Sequence, residues 1–251
     1  MPRVWFITGS SRGLGRSIAE AALESGDAII ATARSPEQIA DLTERYGDER
    51  VLTLPLDVTD NERVIQAVHA GHLKFGRIDI VDTNFFGVVY VSKAVLPILR
   101  LQGSGHIFQV SSLGGRIGAP GLSAYQSAKW AVGGFSTVLA QGLAPFGVKV
   151  TVLEPGGIRT DWAGSSMTIP QVSEPYQATV GTLAEHLRKS SGSEPSLPGR
   201  IADIIMKIAA LEEEPPLRLL VGPDAVEYAG QAAEALAASD EEWRDVSLAS
   251  I

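Results

Sequence analysis

Two side chains that could exchange a proton with a substrate stand four residues apart, in the segment Tyr125-Gln-Ser-Ala-Lys129. On a helix, this spacing puts the phenol and the ammonium side by side. A neighbouring ammonium favours the phenolate. We therefore expect Lys129 to lower the pKa of Tyr125 from its ordinary value of ~10, so that the phenol acts as a general acid or base at neutral pH. The pair alone is weak evidence, because the same spacing occurs by chance on exposed helix faces.

Two further features accompany the pair. Ser112 lies thirteen residues before Tyr125, just after the apolar run 106–110. A glycine-rich segment, Thr8-Gly-Ser-Ser-Arg-Gly-Leu-Gly15, follows the first apolar run of the chain. The Tyr-Lys pair alone could arise by chance, but the three features together need a common explanation.

The glycine-rich segment is placed between a predicted strand and a predicted helix, where backbone N–H groups and the helix dipole form an anion site. Its spacing is Gly-x-x-x-Gly-x-Gly, which differs from the commoner dinucleotide pattern Gly-x-Gly-x-x-Gly. A tight turn that needs glycine only for its backbone conformation is the alternative. The candidate phosphate-binding residues are Gly9, Ser11, Arg12, Gly13, Leu14 and Gly15.

The end of the second predicted strand bears on the choice of dinucleotide. It ends in Ala33-Arg34, with no acidic residue to accept a hydrogen bond from an adenosine 2′-hydroxyl. Arg34, together with Arg12, could pair with a 2′-phosphate, so we expect NADP(H) to be preferred over NAD(H). A solvated strand end is the alternative for Arg34.

Short apolar runs alternate with helical patterns along most of the chain. This order predicts an α/β fold of the Rossmann type, a doubly wound parallel sheet of about seven strands with helices on both faces. Strands are predicted at Val4–Thr8, Ala28–Ala33, Val51–Pro55, Ile78–Val81, His106–Val110, Val148–Leu153 and Leu217–Val221. Helices are predicted at about Leu14–Ser25, Pro36–Tyr46, Asn61–Phe75, Thr83–Leu101, Ala124–Pro145, Ile201–Glu213 and Asp224–Ala238.

Composition limits the remaining choices. The 251 residues are 45% hydrophobic and fit one domain, 1–251, with a less regular segment at about 160–200 that we expect to be a substrate lid. The net charge of −8 argues against nucleic acid and anionic membranes as partners. There is no cysteine, and His69 and His72 lack a third ligand nearby, so no metal site is expected. A start without a signal peptide and the lack of a long apolar run predict a cytoplasmic protein.

These residues resemble the short-chain dehydrogenase/reductase family over nearly the whole chain. The matching motifs are Thr8 to Gly15, Leu56-Asp-Val58, Asn84, Val110-Ser-Ser112, Tyr125 to Lys129 and Glu154-Pro-Gly-Gly-Ile-Arg-Thr160. The late segment 216–224 is similar to the subgroup related to 17β-hydroxysteroid dehydrogenases. The resemblance implies a Rossmann fold, a nicotinamide cofactor and a catalytic tetrad of Asn84, Ser112, Tyr125 and Lys129.

The resemblance also implies a role for each residue. Tyr125 would exchange the substrate proton, Ser112 would hydrogen-bond the substrate oxygen, and Lys129 would lower the pKa of Tyr125 and hold the nicotinamide ribose. Asn84 would position a water that connects Lys129 to solvent. These roles fit the chemistry, because reduction of a ketone builds negative charge on an oxygen that two hydroxyls can stabilise.

The family pattern assigns further residues to the cofactor. Asp57 and Val58 would lie beside the adenine, and the segment Pro155 to Thr160 would bind the nicotinamide carboxamide. Within that segment the candidates are Pro155, Gly156, Ile158 and Thr160. Structural alternatives are that Asp57 only caps a turn and that Thr160 caps a short lid helix.

The chain departs from the family pattern after the fourth strand. Members usually have Asn-Asn-Ala-Gly there, then a loop and the first half of the next helix, whereas residues 77–80 run straight into 81–87, which resemble the middle of that helix. One explanation is a naturally shortened or impaired homologue. The other is a polypeptide that contains a stretch the written sequence omits, which intact mass would reveal.

The leading hypothesis is an NADP(H)-dependent oxidoreductase, such as a carbonyl reductase, that interconverts a secondary alcohol and a carbonyl on a small apolar molecule. Apolar residues of the lid segment motivate the apolar preference, although lid packing explains them equally: Trp162, Met167, Ile169 and Tyr176. The alternative is a catalytically silent dinucleotide-binding or regulatory protein. A homodimer or homotetramer is expected through the helix that carries Trp130, Val132, Phe135 and Leu139, unless that helix packs only on its own sheet.

Overall fold

The structure is a computed structural model that describes residues 2–78, 80–82, 85–164, 167 and 169–249. Its described residues form a seven-stranded parallel sheet of order β3-β2-β1-β4-β5-β6-β7. The strands are β1 Val4–Ile7, β2 Ala28–Ala33, β3 Val51–Pro55, β4 Ile80–Asp82, β5 Gly105–Val110, β6 Val148–Pro155 and β7 Arg218–Val221. Strand order reverses between β1 and β4, and ligands of such sheets bind at the carboxyl ends of the strands beside this point.

Helices connect the strands and cover both faces of the sheet, which confirms the predicted fold class. The described helices are α1 Gly13–Glu24, α2 Ala40–Tyr46, α3 Asn61–Phe75, α4 Phe85–Gln102, α5 Ser123–Leu143, α6 Thr182–Ser190, α7 Pro198–Ala209, α8 Pro223–Glu242 and α9 Arg244–Leu248. Within this part of the chain, no helix is both long and apolar enough to cross a lipid bilayer.

Side-chain alternation along β1 explains the two hydrophobic cores. Trp5 and Ile7 face one side of the sheet and pack with α1, α2 and α7. Val4 and Phe6 face the other side and pack with α3, α4 and α5. Because successive side chains of a strand point in opposite directions, a strand buried on both faces is apolar throughout, which is why the sequence shows continuous apolar runs.

The lid segment is more regular than predicted. Residues 160–200 contain α6, preceded by a 3-10 turn Glu174–Tyr176 and a π-helical turn Gln177–Gly181. The helix α7 begins at Pro198 and ends at Ala209, earlier at both ends than the predicted Ile201–Glu213. Serine, glycine and proline around α6 obscured it, because a nine-residue helix offers only two turns of apolar spacing.

Part of the predicted oligomer surface faces its own sheet. Val132 is fully buried in a cluster with Val88 and Val152, and Leu139 packs against the core on the α3–α5 side. Trp130 and Val138 on the same helix are 54% and 70% exposed. Trp130, Gly134 and Val138 therefore face outward on α5, and Leu139 is partly exposed beside them. Val132 faces the sheet, so the prediction that Val132 contributes to an oligomer surface is wrong.

Candidate active site

The glycine-rich segment forms a close turn between β1 and α1. Gly9 and Gly13 have φ values of +67° and +58°, a backbone conformation that favours glycine. A Cβ on Gly15 would lie 2.4 Å from the carbonyl oxygen of Gly9, so only glycine fits there. The hydroxyl of Ser10 is turned inward and donates to the carbonyl of Ile7 at 2.9 Å.

The amino end of α1 is open toward this turn. Arg12 precedes the helix in an extended conformation, and its side chain makes no capping hydrogen bond. The first backbone N–H groups of α1 therefore lack a side-chain cap and can donate hydrogen bonds to an anion. Ser11 and Leu14 are half-buried on either side of Arg12. The tight turn of the structural alternative is therefore present, with an uncapped helix end beside it, and phosphate binding by this turn stays a prediction.

Ser112, Tyr125 and Lys129 come together where β5 ends. The Ser112 hydroxyl oxygen accepts the N–H of Gly114 at 3.0 Å and is hydrogen-bonded to Tyr125. The Lys129 ammonium donates to the carbonyl of Val110 at 2.9 Å and lies 5.8 Å from the centre of the Tyr125 ring. The structure therefore brings three of the four residues of the predicted tetrad together. The fourth, Asn84, lies outside the described residues, and its role stays a prediction.

The prediction that the pKa of Tyr125 is lowered is wrong for this structure. Burial raises the pKa of the phenol above its ordinary value, and the hydrogen bond with Ser112 opposes that rise only in part. The Trp162 ring covers the phenol, with ring centres 5.4 Å apart. Sequence spacing correctly placed an ammonium nearby, but it could not show that the hydrogen bond of Lys129 goes to Val110 or that Trp162 shields the ring from water.

The two arginines proposed to hold a 2′-phosphate are exposed. Arg34 follows the last residue of β2, and its charge contributes to a lowered pKa of Asp57. The main cause of that lowering is Thr59, whose N–H and hydroxyl donate to the Asp57 carboxylate at 2.9 and 2.8 Å. Asp57 thus caps a turn, as the structural alternative holds, and its contact with adenine stays a prediction. Val58 is half-buried against the core.

The segment after β6 is held by a residue that sequence reasoning missed. Asp224, in the first turn of α8, accepts the N–H of Gly157 at 2.7 Å. A Cβ on Gly156 would lie 2.2 Å from the same carboxylate, which explains why glycine stands there. The glycine pair after Pro155 was the available signal, since two small residues in a row permit close approach of another chain segment.

Thr160 lies beside the glycine-rich turn. Its methyl carbon is 3.7 Å from the position that a Cβ on Gly13 would occupy. Its hydroxyl accepts the N–H of Trp162 at 3.4 Å, within a turn and not a helix. Ile158, two residues earlier, pairs with Ser196 and packs on the core. The structure thus brings the segment predicted for the carboxamide next to the segment predicted for phosphate.

The described residues contain no metal centre built from histidines and carboxylates. His69 is exposed and His72 is half-buried, both on α3. Across the described ranges, no group of three or more His, Cys, Asp or Glu side chains could hold a metal ion.

Together, a doubly wound parallel sheet, a glycine turn at its first strand and a Ser-Tyr-Lys group at its carboxyl edge define a dinucleotide-dependent dehydrogenase or reductase. The family model described as short chain dehydrogenase matches residues 3–81 and 79–168. The chain therefore belongs to the short-chain dehydrogenase family, and the predictions of that family and of an oxidoreductase enzyme are confirmed.

Similar proteins agree with this assignment. Oxidoreductase BOA17 of Botryotinia fuckeliana (strain B05.10) is 68% identical over 274 residues, covering 100% of both chains. A crystal structure of a short-chain dehydrogenase from Streptomyces avermitilis is 33% identical, with a TM-score of 0.91 and 100% of both chains covered.

Two more distant solved structures carry a nicotinamide dinucleotide. A short-chain dehydrogenase/reductase from Burkholderia phymatum in complex with NAD is 18% identical, with a TM-score of 0.80 over 97% of this chain and 95% of that one. A short-chain dehydrogenase from Burkholderia cenocepacia J2315 in complex with NADP is 22% identical, with a TM-score of 0.72 over 96% and 97%. At these identities the likeness concerns the fold.

The comparisons also bear on the departure after β4. The alignment with the Botryotinia protein runs over 274 positions, whereas this chain has 251 residues, so about 23 positions have no residue here. The family model matches in two pieces that meet at residues 79–81. This junction is where the sequence lacks the loop and half-helix of the family pattern.

The raised pKa of Tyr125 gives a testable prediction. Without ligands, this phenol should ionise only above pH ~10, later than a free tyrosine. Absorbance at 295 nm can be followed from pH 7 to 12 for the parent and for Tyr125→Phe. The parent should show one additional ionisation step at high pH that Tyr125→Phe lacks. A step below pH ~9 that disappears in Tyr125→Phe would show instead that Lys129 outweighs burial.

Proposed function

We propose that the protein is an NADP(H)-dependent oxidoreductase that reduces a carbonyl to a secondary alcohol, or the reverse, on a small apolar molecule. The observation that carries the proposal is the Ser112–Tyr125–Lys129 group at the carboxyl edge of the sheet. The Ser112 hydroxyl interacts with Tyr125 and opposes the effect of burial on the pKa of the phenol, and the glycine turn lies at the same edge of the sheet. The comparisons favour this activity over the catalytically silent alternative.

The chemistry follows from the protonation of the side chains. When a ketone is reduced, negative charge develops on its oxygen, and the Ser112 hydroxyl can donate a hydrogen bond to it. A phenol with an ordinary pKa of ~10 is protonated at neutral pH, and burial raises the pKa of Tyr125 further, so this side chain then gives its proton to the same oxygen. The bound nicotinamide supplies the hydride. Lys129, fixed by its hydrogen bond to Val110, stabilises the phenolate left on Tyr125.

The chain provides a fitting place for a nicotinamide dinucleotide. Gly9, Gly13 and Gly15 keep side chains away from the amino end of α1, where a pyrophosphate would lie. Thr160 and the Gly156–Gly157 segment would hold the other half of the molecule. These residues bind and orient the cofactor, and they take no part in proton transfer.

Preference for NADP(H) rests on Arg12 and Arg34. Both are exposed, and in the described part of the chain neither side chain forms an ion pair. A guanidinium that is not already paired can bind a 2′-phosphate with two hydrogen bonds. The charge of Arg34 contributes to the lowered pKa of Asp57, but that carboxylate is already hydrogen-bonded to Thr59.

The apolar substrate preference rests on Trp162 in the lid. Its ring packs on Tyr125 and remains 41% exposed, so part of an aromatic surface is open next to the reacting group. The Arg188 guanidinium on α6 donates to the carbonyl oxygens of Ala163 and Met167 and so holds this part of the lid in place. An apolar molecule placed between the lid and Tyr125 would cover that surface.

Other predictions remain untested. The likeness to the 17β-hydroxysteroid dehydrogenase subgroup, the cytoplasmic location and the single domain with a lid at 160–200 stay predictions.

The proposed self-association uses α5, where Gly134, Phe135, Val138, Gly142 and neighbouring residues line an apolar depression. A homodimer or homotetramer would bury this surface.

Replacing Tyr125 by Phe tests the proposed activity. The change removes the proton donor but keeps the ring beside Trp162, so we expect kcat for ketone reduction to fall by about 10²–10⁴ with little change in the dissociation constant for NADPH. NADPH consumption at 340 nm over a ketone panel and NADPH fluorescence titration measure the two quantities. Tyr228→Phe, at a 47% exposed tyrosine on α8, is the matched control. Equal turnover of the parent and Tyr125→Phe on every ketone would favour the silent alternative.

Replacing Arg34 by Asp tests the dinucleotide preference. Loss of a charged hydrogen bond costs about 1.5–3 kcal/mol, so the dissociation constant for NADPH should rise roughly tenfold to a hundredfold, whereas that for NADH should fall or stay the same. Arg244→Asp makes the same charge change at a distant exposed site. A parallel loss of affinity for both dinucleotides in Arg34→Asp would contradict the role assigned to Arg34.

Replacing Val138 by Arg tests self-association. Val138 is 70% exposed on α5, and a charge there would have to be desolvated in a symmetric interface. Light scattering after size exclusion should show the parent as a dimer or tetramer and Val138→Arg as a smaller species. Leu73→Arg, at an 88% exposed position on α3, should leave the mass unchanged. A monomeric parent would rule out this interface.

A further inference from the structure

A buried carboxylate, Glu154, joins two arginines next to the active site. Glu154 is fully buried, with 0% exposure. One carboxylate oxygen accepts the Nε–H of Arg116 at 2.7 Å, and the other accepts the Nε–H of Arg218 at 2.8 Å. The Nη2 atoms of the two arginines lie 2.6 and 2.5 Å from the same oxygens. Each guanidinium therefore holds one oxygen with two nitrogens, and the group carries a net charge of +1.

The three residues belong to three different parts of the site. Glu154 is the residue before Pro155 and so sits directly ahead of the segment predicted for the carboxamide. Arg116 follows the 3-10 turn Leu113–Gly115, in which the Ser112 side chain accepts the N–H of Gly114. The Arg116 N–H donates to the carbonyl of Leu113 at 2.8 Å, so a shift of Arg116 would be passed on to the turn that carries Ser112.

Arg218 extends the network to α5. A Cβ on Gly133 would lie 2.7 Å from the Arg218 Nη2, so the guanidinium rests directly on the backbone of this helix. Gly133 is one helical turn after Lys129 and two turns after Tyr125. The same helix is also fixed from the Ser112 side, because Ser111 donates its hydroxyl to the carbonyl of Lys129 at 2.9 Å.

Stability alone accounts poorly for this group. Complete burial of a carboxylate is costly even when two arginine side chains that stay 31% and 33% exposed pair with it, and well-packed apolar side chains are often as stabilising or more so. Contacts between apolar side chains, however, do not fix the relative orientation of the segments that carry them. Two guanidinium groups hydrogen-bonded to one carboxylate fix both the distance and the angle between those segments. The geometry of the network, and not its contribution to stability, is its distinguishing property.

We propose that Glu154 is a positioning residue. Through Arg116 and Arg218 it fixes the position of the Ser112 turn relative to α5, so that the hydroxyls of Ser112 and Tyr125 converge on one substrate oxygen. This inference rests on the proposed function. Glu154 itself touches neither substrate nor cofactor. Its effect is on the alignment of two hydroxyls, for which displacements of about 1 Å can lower rates by as much as ~10²-fold.

Three variants and one control separate positioning from folding. Glu154→Gln leaves two guanidinium groups without a charge partner and should lower both Tm and kcat. The triple variant Glu154→Met, Arg116→Leu, Arg218→Leu replaces the network by apolar side chains and should recover Tm. Arg116→Lys keeps the charge but loses the fork, and it takes the place of the triple variant if that chain does not fold.

The control is a second buried carboxylate at the opposite edge of the sheet. Asp27, next to the first residue of β2, accepts hydrogen bonds from the Nε–H of Arg3 and the Nε1–H of Trp5, both at 2.9 Å. Asp27→Asn should lower Tm like Glu154→Gln but leave kcat and the NADPH dissociation constant unchanged.

The decisive comparison is the triple variant, or Arg116→Lys, against the parent. We expect kcat to fall by about tenfold or more with KM for the ketone changed less than threefold. We also expect faster amide hydrogen exchange in residues 111–117 and 123–133, measured by mass spectrometry. In a folded variant of an active parent, either parent-like kcat or parent-like exchange would overturn the proposal.

The exchange measurement does not depend on activity. If the parent turns over no ketone, the proposed function fails, while faster exchange in residues 111–117 of the triple variant would still show that Glu154 holds the Ser112 turn. Unchanged exchange there would reject the positioning role whatever the parent catalyses.

Discussion

The parallel direction of the strands in one sheet decides where the reacting groups can lie. All seven strands run in the same direction, so the segments that follow β1, β2, β5 and β6 leave the sheet at a common edge. These segments carry the glycine turn, Arg34, Ser112 and the Gly156–Gly157 pair. Residues more than a hundred positions apart in the chain become neighbours because ladder hydrogen bonds fix the ends of their strands.

Close backbone approach is the second condition for this site. Glycines stand where a side chain would collide with another segment: Gly15 against Gly9, Gly115 against the carbonyl of Lys129, and Gly156 against Asp224. These contacts draw α1, α5 and α8 toward the edge of the sheet. The strand β4 pairs with both β1 and β5, so the sheet is continuous on both sides of it.

Burial and the interaction with Ser112 shift the pKa of the central phenol in opposite directions, and burial prevails. The phenol is protonated at neutral pH, which is the form that donates a proton to a ketone oxygen. Trp162 and the lid contribute to this state because they shield the ring. A lid that closes on an apolar substrate would exclude water from the same hydroxyl and strengthen its hydrogen bond with Ser112.

The sequence by itself determined the fold class, most element boundaries and the identity of the main candidate groups. Apolar period, glycine spacing and the Tyr-Lys pair are local signals, and β2, β3 and α3 lie where they were predicted. Tertiary structure alone decided which way the pKa of Tyr125 moves, that Asp224 supports Gly157 and that Glu154 links Arg116 to Arg218. The pKa shift depends on solvent exposure, and the other two findings depend on contacts between residues 38 to 67 positions apart. Solvent exposure and such distant contacts cannot be deduced from residues that are neighbours along the chain.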